Sequence, residues 1–371
     1  MQAKELCVLI PSLEPDERLV AYVNELLAAD FGQIVIVNDG SSEKYDEIFN
    51  RLAQKDRCTV LRHEVNRGKG AGLKTGIEYI KNHTQFDGVI TADADGQHIV
   101  SDTLKVAAEM QADQKELLLG SRDFSGNNKN IPSRSRFGNR VTSAVFAALY
   151  GHWLPDTQTG LRAITREGYD DLLSVTGERF EYEMNMLIYC AMNKIPFKVI
   201  SIETIYLEEN KSSHFNPLRD SIRIYKLLLG SFLRFSAASI ISFLLDYFIL
   251  SILMFWVFKG SQTAYATILG IDFSFRALIA TPVARLISSP VNFLLNKNFA
   301  FQVKESAGAA WRYATLAICV LIITTFLFGW LNHFIPDGHN LLTILLKMVI
   351  DVVMYLLNFR IQRNWVFRTD K

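Results

Sequence analysis

The sequence of 371 residues predicts an α/β, Rossmann-like domain with a mostly parallel sheet, followed by an all-α domain of four transmembrane helices. Two observations predict this class. Up to about residue 230, short apolar strands alternate with charged helices, a pattern typical of a doubly wound sheet. Beyond that residue, long apolar segments dominate, each with about the 20 residues that a membrane-spanning helix needs.

The elements of the first domain follow in order along the chain. Four apolar runs predict strands, which begin at Cys7, Gln33, Cys58 and Gly88. Three amphipathic stretches between them predict helices, at residues 16–30, 45–55 and 70–82. Ligands of parallel sheets bind at the carboxyl ends of the strands. The residues that follow each strand are therefore the candidates for a functional site.

The charge balance and the cysteines exclude several classes of protein. The 39 basic and 38 acidic residues nearly cancel, so a general electrostatic attraction to nucleic acid is not indicated. The four cysteines are scattered and form no CxxC pair, which argues against a disulfide framework and a zinc site. The apolar run near the N-terminus is too short for a signal peptide, so we expect the first domain, residues 1–215, in the cytoplasm.

The second part of the sequence predicts an amphipathic helix and a membrane domain, residues 235–371. Residues 216–234 combine basic side chains with an apolar face and predict a helix on a membrane surface, with a soluble interdomain helix as the alternative. The four predicted spans are residues 235–258, 277–295, 313–333 and 341–359. Basic residues flank one side of these spans, so the positive-inside rule places both termini in the cytoplasm of a multi-pass inner or plasma membrane protein.

The two pairs of spans resemble each other in sequence. The segment NFLLNKNFAF starts at residue 292 and NFRIQRNWVF at residue 358, an offset of 358 − 292 = 66. Two units in the same orientation indicate a parallel repeat, as in many small transporters.

Four ionisable residues lie within the predicted spans, where charges are costly and commonly functional: Asp246, Arg285, Lys347 and Asp351. Arg285 and Asp351 hold equivalent positions in the repeat, since 285 + 66 = 351. We expect them to face each other and to line a polar path or a site for a lipid phosphate. A buried ion pair that only fixes packing is the alternative.

Polar segments follow the predicted strands: PSLEPDE at 11–17, NDGSS at 38–42, NRGKGAG at 66–72 and DADGQH at 93–98. Asp39 can accept hydrogen bonds from a base or a ribose. The glycines of the third segment allow a close approach, and its amides and Lys69 favour a diphosphate. Asp93, Asp95 and Gln97 form an oxygen-rich group suited to Mg²⁺ or Mn²⁺, which would bridge the diphosphate of a leaving group.

Five segments, in this order, resemble the family 2 glycosyltransferases of the GT-A fold: VIVNDGSS, NRGKGAGLKTGI, ADADGQH, LGSRDF and DTQTGLRAI. The subgroup that the sequence resembles is the polyprenyl-phosphate sugar synthases, of which dolichol-phosphate mannose synthase is the type. This resemblance covers about residues 5–215. The membrane part resembles the GtrA-like four-span domain, which accompanies transferases that glucosylate a lipid carrier.

The resemblance implies three groups of site residues. The residues implied to bind the nucleotide-sugar are Pro11, Asp39, Asp93 and Asp95, and Lys69 joins them. Asp93 and Asp95 also form the metal site, together with Gln97. Those that hold the acceptor phosphate are Arg122, Arg134, Ser135 and Arg136. Arg162 is implied to neutralise diphosphate charge, and it completes a catalytic set with Asp95, Arg122, Arg134 and Ser135. The sequence departs from the family at Leu13–Glu14 and Ser213–His214, where Tyr-Asn and Ser-Lys are usual.

The reaction that the resemblance implies is the metal-dependent, inverting transfer of a hexose from a nucleotide-sugar to polyprenyl phosphate, such as undecaprenyl phosphate, at the cytoplasmic membrane face. Such an acceptor is already ionised near neutral pH, so it can attack the anomeric carbon without a general base. The GtrA-like domain favours UDP-glucose as donor over GDP-mannose. It is expected to hold or flip the lipid-linked sugar for cell-envelope glycan modification, and a homo-oligomer is compatible with its buried charges.

Two other classes of function remain open in the sequence. A processive membrane polysaccharide synthase would carry QxxRW after the DxD region, whereas QRNW at 362–365 has another spacing and follows the last span. A lipid transporter that binds nucleotide-sugar without turnover would be favoured by loss of the acidic pair, and the pair is present.

Overall fold

The computed structural model describes residues 1–124, 133–203, 217–257, 265–268, 271–303, 308–332 and 340–367. The chain divides into two compact units, Met1–Leu228 and Leu229–Lys371, and each is described by itself below. The border between them falls inside the stretch 216–234 that the sequence predicts as an amphipathic helix.

The first unit is built on a sheet of seven strands: β1 (Leu6–Ser12), β2 (Gln33–Asp39), β3 (Cys58–His63), β4 (Gly88–Thr91), β5 (Leu117–Arg122), β6 (Arg162–Thr165) and β7 (Phe197–Ile202). Their order is β3-β2-β1-β4-β6-β5-β7. Neighbouring strands are parallel except where β6 pairs with β4 and β5. This confirms the α/β class with a mostly parallel sheet.

Seven helices of the described residues accompany this sheet: α1 (Glu17–Ala28), α2 (Asp46–Ala53), α3 (Lys69–His83), α4 (Val100–Glu109), α5 (Ser133–Tyr150), α6 (Tyr169–Ser174) and α7 (Glu181–Met192). The first three agree with the predicted helices to within two residues at each end. A side-chain cap explains where α1 begins, because the carboxylate of Asp16 accepts a hydrogen bond from the backbone N–H of Arg18.

Two glycines let α3 lie directly against the sheet. A Cβ atom at Gly76 would stand 2.1 Å from Cδ1 of Leu9, and one at Gly72 would stand 3.2 Å from Cβ of Pro11. Both contacted residues belong to β1, whose seven residues are all buried. The glycines therefore set the distance between α3 and β1, and this fixes the start of α3 above the carboxyl ends of the strands.

The register of the sheet brings the strand ends together. Ser12 of β1 lies beside Asn38 of β2, and Asn38 lies beside Arg62 of β3. Three parallel strands therefore end side by side, and the loops that follow them leave the sheet at one edge. This is the edge where the sequence predicts the ligand site.

In the second unit, four long helices are described: α8 (Pro217–Ile252, which begins in the first unit), α9 (Phe275–Leu295), α10 (Ala309–Asn332) and α11 (Asn340–Ile361). They overlap the four predicted spans. By length and composition, one helix in the described part of the chain, Ile222–Val257, could cross a membrane. A two-stranded hairpin that the sequence did not predict, β8 (Tyr265–Ile268) and β9 (Ile271–Ser274), lies between α8 and α9.

The predicted surface helix at 216–234 is not separate from the first span. Residues 217–252 form one helix, and its hydrogen bonding continues through residue 234. The only proline of this stretch, Pro217, stands at the first position, where proline does not interrupt a helix. The residues predicted to lie along a membrane surface are therefore the first turns of α8, the helix that also contains most of the first predicted span.

The two copies of the predicted repeat have the same local structure. α9 and α11 each run into a π-helical turn, Asn296–Ala300 and Gln362–Val366. Their aromatic side chains pack reciprocally: Phe293 contacts Phe367 with ring centroids 5.5 Å apart, and Phe301 contacts Phe359 at 5.8 Å, both with 33° between the ring planes. Since 293 + 66 = 359 and 301 + 66 = 367, each pair is the image of the other. The two segments are therefore related by approximate two-fold symmetry.

Candidate active site

An open cavity of about 380 Å³ lies at the carboxyl ends of the strands in the first unit. This volume is within the usual range for small-molecule sites, about 300–1,000 Å³. The five residues predicted to bind a nucleotide-sugar all line it: Pro11, Asp39, Lys69, Asp93 and Asp95. Arg179 and Phe180, which precede α7, line it as well, and no sequence motif pointed to them.

Asp39 ends β2 and holds the glycine-rich loop. Its carboxylate accepts hydrogen bonds from the backbone N–H groups of Arg67, at 2.9 Å, and Gly68, at 2.7 Å. Nδ1 of His63 lies 2.7 Å from the same carboxylate, and Nε2 of His63 lies 3.0 Å from the hydroxyl of Thr75. Oδ2 of Asp39 has one of these partners, so it keeps a lone pair for a ligand.

Gly68 takes a backbone conformation that this arrangement requires. Its φ of +106° is in the region that favours glycine, and a Cβ atom there would stand 2.5 Å from the carbonyl oxygen of Glu178. The amide that Gly68 presents to Asp39 therefore depends on glycine at this position. The same geometry sets Lys69 as the first residue of α3.

Lys69 joins two carboxylates that are far apart in sequence. Its Nζ lies 2.6 Å from Oδ1 of Asp93 and 2.9 Å from Oε2 of Glu183, the latter in α7. Burial opposes the charge of Lys69, but the two carboxylates raise its pKa above the ordinary value. Burial likewise opposes ionisation of Asp93, but the ammonium of Lys69 and the ring of His98 hold the pKa of Asp93 well below its usual range. The cluster therefore joins two carboxyl groups to one ammonium.

Asp95 lies next to this cluster and is harder to ionise. Its Oδ1 accepts a hydrogen bond from the N–H of Gln97 at 3.0 Å. Burial, and then the negative charge of Asp93, raise the pKa of Asp95 above its ordinary value. Two carboxylates held close together under partial burial repel each other, and a cation between them would remove that repulsion.

The chemistry of Asp93 and Asp95 fits a divalent metal ion that is shared with a substrate. In the described residues, no group of three or more His, Cys, Asp or Glu side chains is arranged to hold a metal. Mg²⁺ is commonly held by one or two carboxylates and completes its shell with phosphate oxygens and water. The two aspartates are sufficient for such an ion, provided that a phosphorylated ligand supplies the rest.

Arg122 lies at the end of β5, on the other side of the acidic pair. Its Nε donates to Oδ2 of Asp156 at 2.7 Å, and a second guanidinium nitrogen donates to Oδ1 at 3.1 Å. Asp156 is 1% exposed, so this two-point contact fixes the guanidinium plane. A small cavity of about 30 Å³ joins Arg122 to Asp93, Gln97 and His98. This cavity brings Arg122 and Gln97 to the same place as Asp93.

The other predicted acceptor residues lie at the start of α5. The side chain of Arg134 lies outside the described residues. Ser135 and Arg136 are half-buried, and neither lines the two cavities described above. One turn later, Asn139 donates to the carbonyl of Pro155 at 2.5 Å and accepts from the N–H of Thr157 at 3.2 Å. These contacts flank Asp156, so α5 is tied to the loop that orients Arg122.

Arg162 is buried beneath the cavity and does not face it. The residue is 2% exposed, and its Nε donates to the carbonyl of Thr159 at 2.9 Å. One terminal nitrogen donates to the carbonyl of Glu183 at 2.6 Å. The other terminal nitrogen is buried and has no hydrogen-bond partner among the described residues, so the contact of Arg162 with a diphosphate stays a prediction. In this position, Arg162 fixes the start of α7, which carries Glu183.

Three residues that the sequence did not assign hold the predicted ones in place: His63, Asp156 and Glu183. Asp156 begins the segment DTQTGLRAI, so a signal for it was present. Glu183 lies 114 residues after Lys69, and no local pattern connects the two. His63 ends β3 beside Asp39, and its role could have been inferred from the strand register alone.

The polar residues of the second unit form a different pair from the expected one. Nε of Arg285 lies 3.5 Å from Oδ2 of Asp246, so α9 is paired with α8. The hydroxyl of Ser288 donates to Oδ1 of the same aspartate at 2.7 Å. The expected pairing of Arg285 was with Asp351, its equivalent in the repeat. The side chain of Lys347 lies outside the described residues.

Two protein families match different parts of the chain. Glycosyl transferase family 2 matches residues 7–173, and the GtrA/DPMS transmembrane domain matches residues 260–367. The first match contains β1 apart from its first residue, β2 to β6, and most of the cavity. The second contains α9, α10, α11 and both π-helical turns.

Curated relatives are similar to the first unit. An uncharacterized protein of Methanocaldococcus jannaschii is 30% identical over 227 residues, which are 61% of this chain and 91% of the relative. UDP-N-acetylglucosamine–dolichyl-phosphate N-acetylglucosaminyltransferase of Methanococcus voltae is 28% identical over 62% of this chain and 97% of its own length. A dolichyl-phosphate beta-glucosyltransferase of Trichomonas vaginalis is 27% identical over 44% of this chain and 53% of its own length.

The cavity at the strand ends, the acidic pair and the two family matches lead to one assignment. The second match makes the chain a membrane protein, and the first supplies its enzymatic class. The chain is a glycosyltransferase of family 2, with the GT-A fold, that carries a GtrA/DPMS transmembrane domain.

Proposed function

We propose that this glycosyltransferase moves a hexose from a nucleotide-sugar to polyprenyl phosphate, with inversion at the anomeric carbon. The observation that carries the proposal is a pair of cavities that share Asp93. The acidic pair and Lys69 line the first, and Arg122, held by Asp156, lines the second. Relatives whose names specify dolichyl-phosphate or undecaprenyl-phosphate acceptors support the class of acceptor. The GtrA domain supports UDP-glucose or a similar UDP-hexose as the donor.

The donor side of the proposed site is formed by the strand ends. Pro11 and Asp39 would bind the nucleoside, and the amides that begin α3 would face the diphosphate. Lys69 would lend positive charge to the same group. Its pairing with Asp93 and Glu183 keeps the ammonium in one place before the substrate arrives.

A divalent cation, Mg²⁺ or Mn²⁺, would be held by Asp93 and Asp95 with Gln97 beside them. When bound, it would neutralise charge on the departing nucleoside diphosphate. The raised pKa of Asp95 supports this part of the proposal, because burial and the charge of Asp93 leave a deficit of positive charge at this point.

The acceptor side requires positive charge and no general base. A phosphate monoester is largely ionised near neutral pH, so its oxygen can attack directly. Arg122 would orient that phosphate, since Asp156 fixes the plane of its guanidinium. Arg134, Ser135 and Arg136 at the start of α5 would complete the acceptor site.

The chain is proposed to lie in the inner or plasma membrane with both termini and the catalytic unit in the cytoplasm. The four helices α8 to α11 would be its spans, and the membrane domain would hold or flip the lipid-linked sugar. Basic residues before the first span, between the second and third, and after the fourth support this topology.

The role of His63 gives a test of the donor site. Replacing His63 by Leu removes one of the groups that hold the Asp39 carboxylate, and one hydrogen bond is worth about 1 kcal/mol. We expect the KM for the nucleotide-sugar to rise about fivefold, with kcat nearly unchanged. His83→Leu is the matched control, because this exposed residue at the end of α3 contacts its own helix. An unchanged KM in the His63 variant would contradict the assigned role of Asp39.

The proposed reaction is tested with the full chain in detergent. Labelled UDP-glucose, other UDP-hexoses and GDP-mannose are offered in turn with undecaprenyl phosphate and Mg²⁺ or Mn²⁺. We expect label from at least one donor to enter the organic phase, and chelation of the metal to prevent it. If no donor transfers label, the proposed function is wrong. Label that enters a water-soluble or insoluble polymer would support the processive synthase instead.

A further inference from the structure

A polar stripe runs along one face of α9. Arg285, Ser288, Asn292 and Asn296 are spaced by three, four and four residues, which places them above one another on a helix. From Arg285 to Asn296 the axial rise is about 16 Å, or about half the hydrocarbon thickness of a bilayer. This stripe leads from the end of α9 to its middle.

The outer end of the stripe is closed by an amide pair. Nδ2 of Asn296 donates to Oδ1 of Asn292 at 2.6 Å and to Oε1 of Gln362 at 3.0 Å. Nε2 of Gln362 donates to Oδ1 of Asn358 at 3.2 Å. These four residues are two equivalent pairs of the repeat, since 292 + 66 = 358 and 296 + 66 = 362. The amides therefore join the repeat's two copies on its approximate symmetry axis.

The inner end of the stripe is a charged group in the middle of the span. Arg285 is the eleventh of the 21 residues of α9. It contacts Asp246, which is 8% exposed and also accepts from Ser288. The aspartate is thus enclosed and satisfied within the protein.

The arginine of this pair is not enclosed. Its side chain is 66% exposed, whereas that of Asp246 is 12% exposed. Its neighbours along α9, Leu286 and Ile287, are also exposed, at 74% and 48%. In the described residues, Nε is the donor that faces Asp246. An arginine has five N–H donors, so this one contact of 3.5 Å and the 66% exposure of the side chain leave it accessible to a further partner.

A charge in this place requires a partner. A guanidinium that faces the apolar part of a bilayer is costly, and such residues commonly mark a substrate path. Arginine binds phosphate oxygens with two parallel hydrogen bonds, and the aspartate behind it would hold the guanidinium in a fixed direction. The exposed side of Arg285 therefore matches an anionic group that enters from the lipid.

We propose that Arg285, oriented by Asp246 and Ser288, binds the phosphate of a polyprenyl-linked headgroup in the middle of the membrane domain. Ser288 and Asn296 of the stripe are enclosed, at 3% and 0% exposed, so they hold α9 in place and do not line the path of the lipid. This inference rests on the proposed function only for the identity of the lipid. The site is separate from the acceptor residues of the first unit, so transfer and passage through the membrane domain can be measured apart.

The test uses the full chain in proteoliposomes with two readouts. Transfer is followed as label that enters the lipid, and passage as the fraction of labelled lipid whose sugar becomes accessible on the opposite face. Arg285→Leu is expected to leave transfer unchanged and to slow passage at least tenfold, while Arg285→Lys retains part of it. Cross-linking of a photoreactive polyprenyl phosphate to α9 should fall in parallel, and a photoreactive phosphatidylglycerol shows whether ordinary phospholipids use the same site.

Removing Arg285 leaves Asp246 without its charge partner, so a second variant guards against misfolding. The double variant Arg285→Gln with Asp246→Asn keeps both side chains polar and removes both charges, and it should also lose passage and cross-linking. Ser251→Ala is the control, because this exposed serine of α8 donates only to the carbonyl of Tyr247.

Three results would overturn the inference. The first is passage and cross-linking at the wild-type level in both Arg285→Leu and the double variant. The second is equal cross-linking by the polyprenyl phosphate and phosphatidylglycerol probes. The third is a change in oligomeric state as the only effect of the substitutions. The last would mean that Arg285 faces a second copy of the chain. If no sugar is transferred by the wild type, the proposed function fails, whereas the cross-linking of polyprenyl phosphate still tests the site.

Discussion

Asp95→Asn is expected to lower the rate of sugar transfer by about a thousandfold, corresponding to about 4 kcal/mol of transition-state stabilisation. The change keeps the shape of the side chain and removes the charge that, with Asp93, would hold the metal ion beside the diphosphate. Initial rates at saturating Mn²⁺ and donor measure the effect. Asp170→Asn is the matched control, since the side chain of Asp170 is 77% exposed and contacts Lys81 on the surface.

The same substitution has a second expected result that separates function from folding. Burial and the charge of Asp93 raise the pKa of Asp95, so the folded protein disfavours its ionised form. A neutral amide at this position should therefore leave the thermal unfolding temperature unchanged or raise it. Turnover above one tenth of the wild-type rate, a loss of less than about 1.4 kcal/mol of transition-state stabilisation, would contradict the role assigned to Asp95. A clear loss of thermal stability would contradict it as well.

Lys69→Met is the second large effect that we expect, and it should reduce both donor affinity and stability. Removing the ammonium leaves Asp93 and Glu183 as buried carboxylates without their shared partner, and breaking such a pair costs about 3–5 kcal/mol. The loss of charge should also weaken binding of the nucleoside diphosphate by about a hundredfold, or about 3 kcal/mol. Calorimetric titration with UDP and GDP, together with thermal unfolding, measures both.

Lys74→Met provides the control on the same helix. Lys74 lies five residues further along α3, and its Nζ stands 5.2 Å from the centre of the Tyr182 ring, away from the acidic cluster. It should retain donor binding and most of the stability. Nucleotide binding of equal strength in the two lysine variants would show that Lys69 serves packing alone.

Most of the donor site could be predicted because strand geometry brings it together. Pro11, Asp39, Lys69, Asp93 and Asp95 each follow or end a strand of one parallel sheet, so their convergence needs only the order of strands and helices. Glu183 and Asp156 come from later segments, and the distance along the chain hides their contacts with Lys69 and Arg122. Such contacts depend on how α5 and α7 pack, which no local pattern reveals.

Arg162 shows that a sequence motif identifies a residue and leaves the surroundings of its side chain open. The segment that contains Arg162 includes β6, which runs antiparallel to both of its neighbours, β4 and β5. The register of these two pairings sets the direction of each side chain of β6. The guanidinium ends up below the cavity, on the carbonyls of Thr159 and Glu183. A sequence motif identifies the residue, whereas the direction of its side chain follows from the sheet.

The membrane domain was predictable in its repeat and not in its charge pairing. The offset of 66 residues is preserved in the π-helical turns and in the contact between Asn296 and Gln362. Arg285 nevertheless pairs with Asp246 of α8, outside the repeated segment. Symmetry of sequence predicts which positions are equivalent, whereas the partner of a charge depends on which helix passes beside it.

The most direct measurement of the central claim is the identity of both products from one reaction with unlabelled donor. Mass spectrometry of the lipid phase and chromatography of the nucleotide are done on the same sample, with the Asp95→Asn variant alongside. We expect polyprenyl phosphate increased in mass by one hexose residue, one equivalent of nucleoside diphosphate, and neither product with the variant. Release of nucleoside monophosphate with a polyprenyl diphosphate sugar, or a hexose polymer in place of the lipid, would contradict the account.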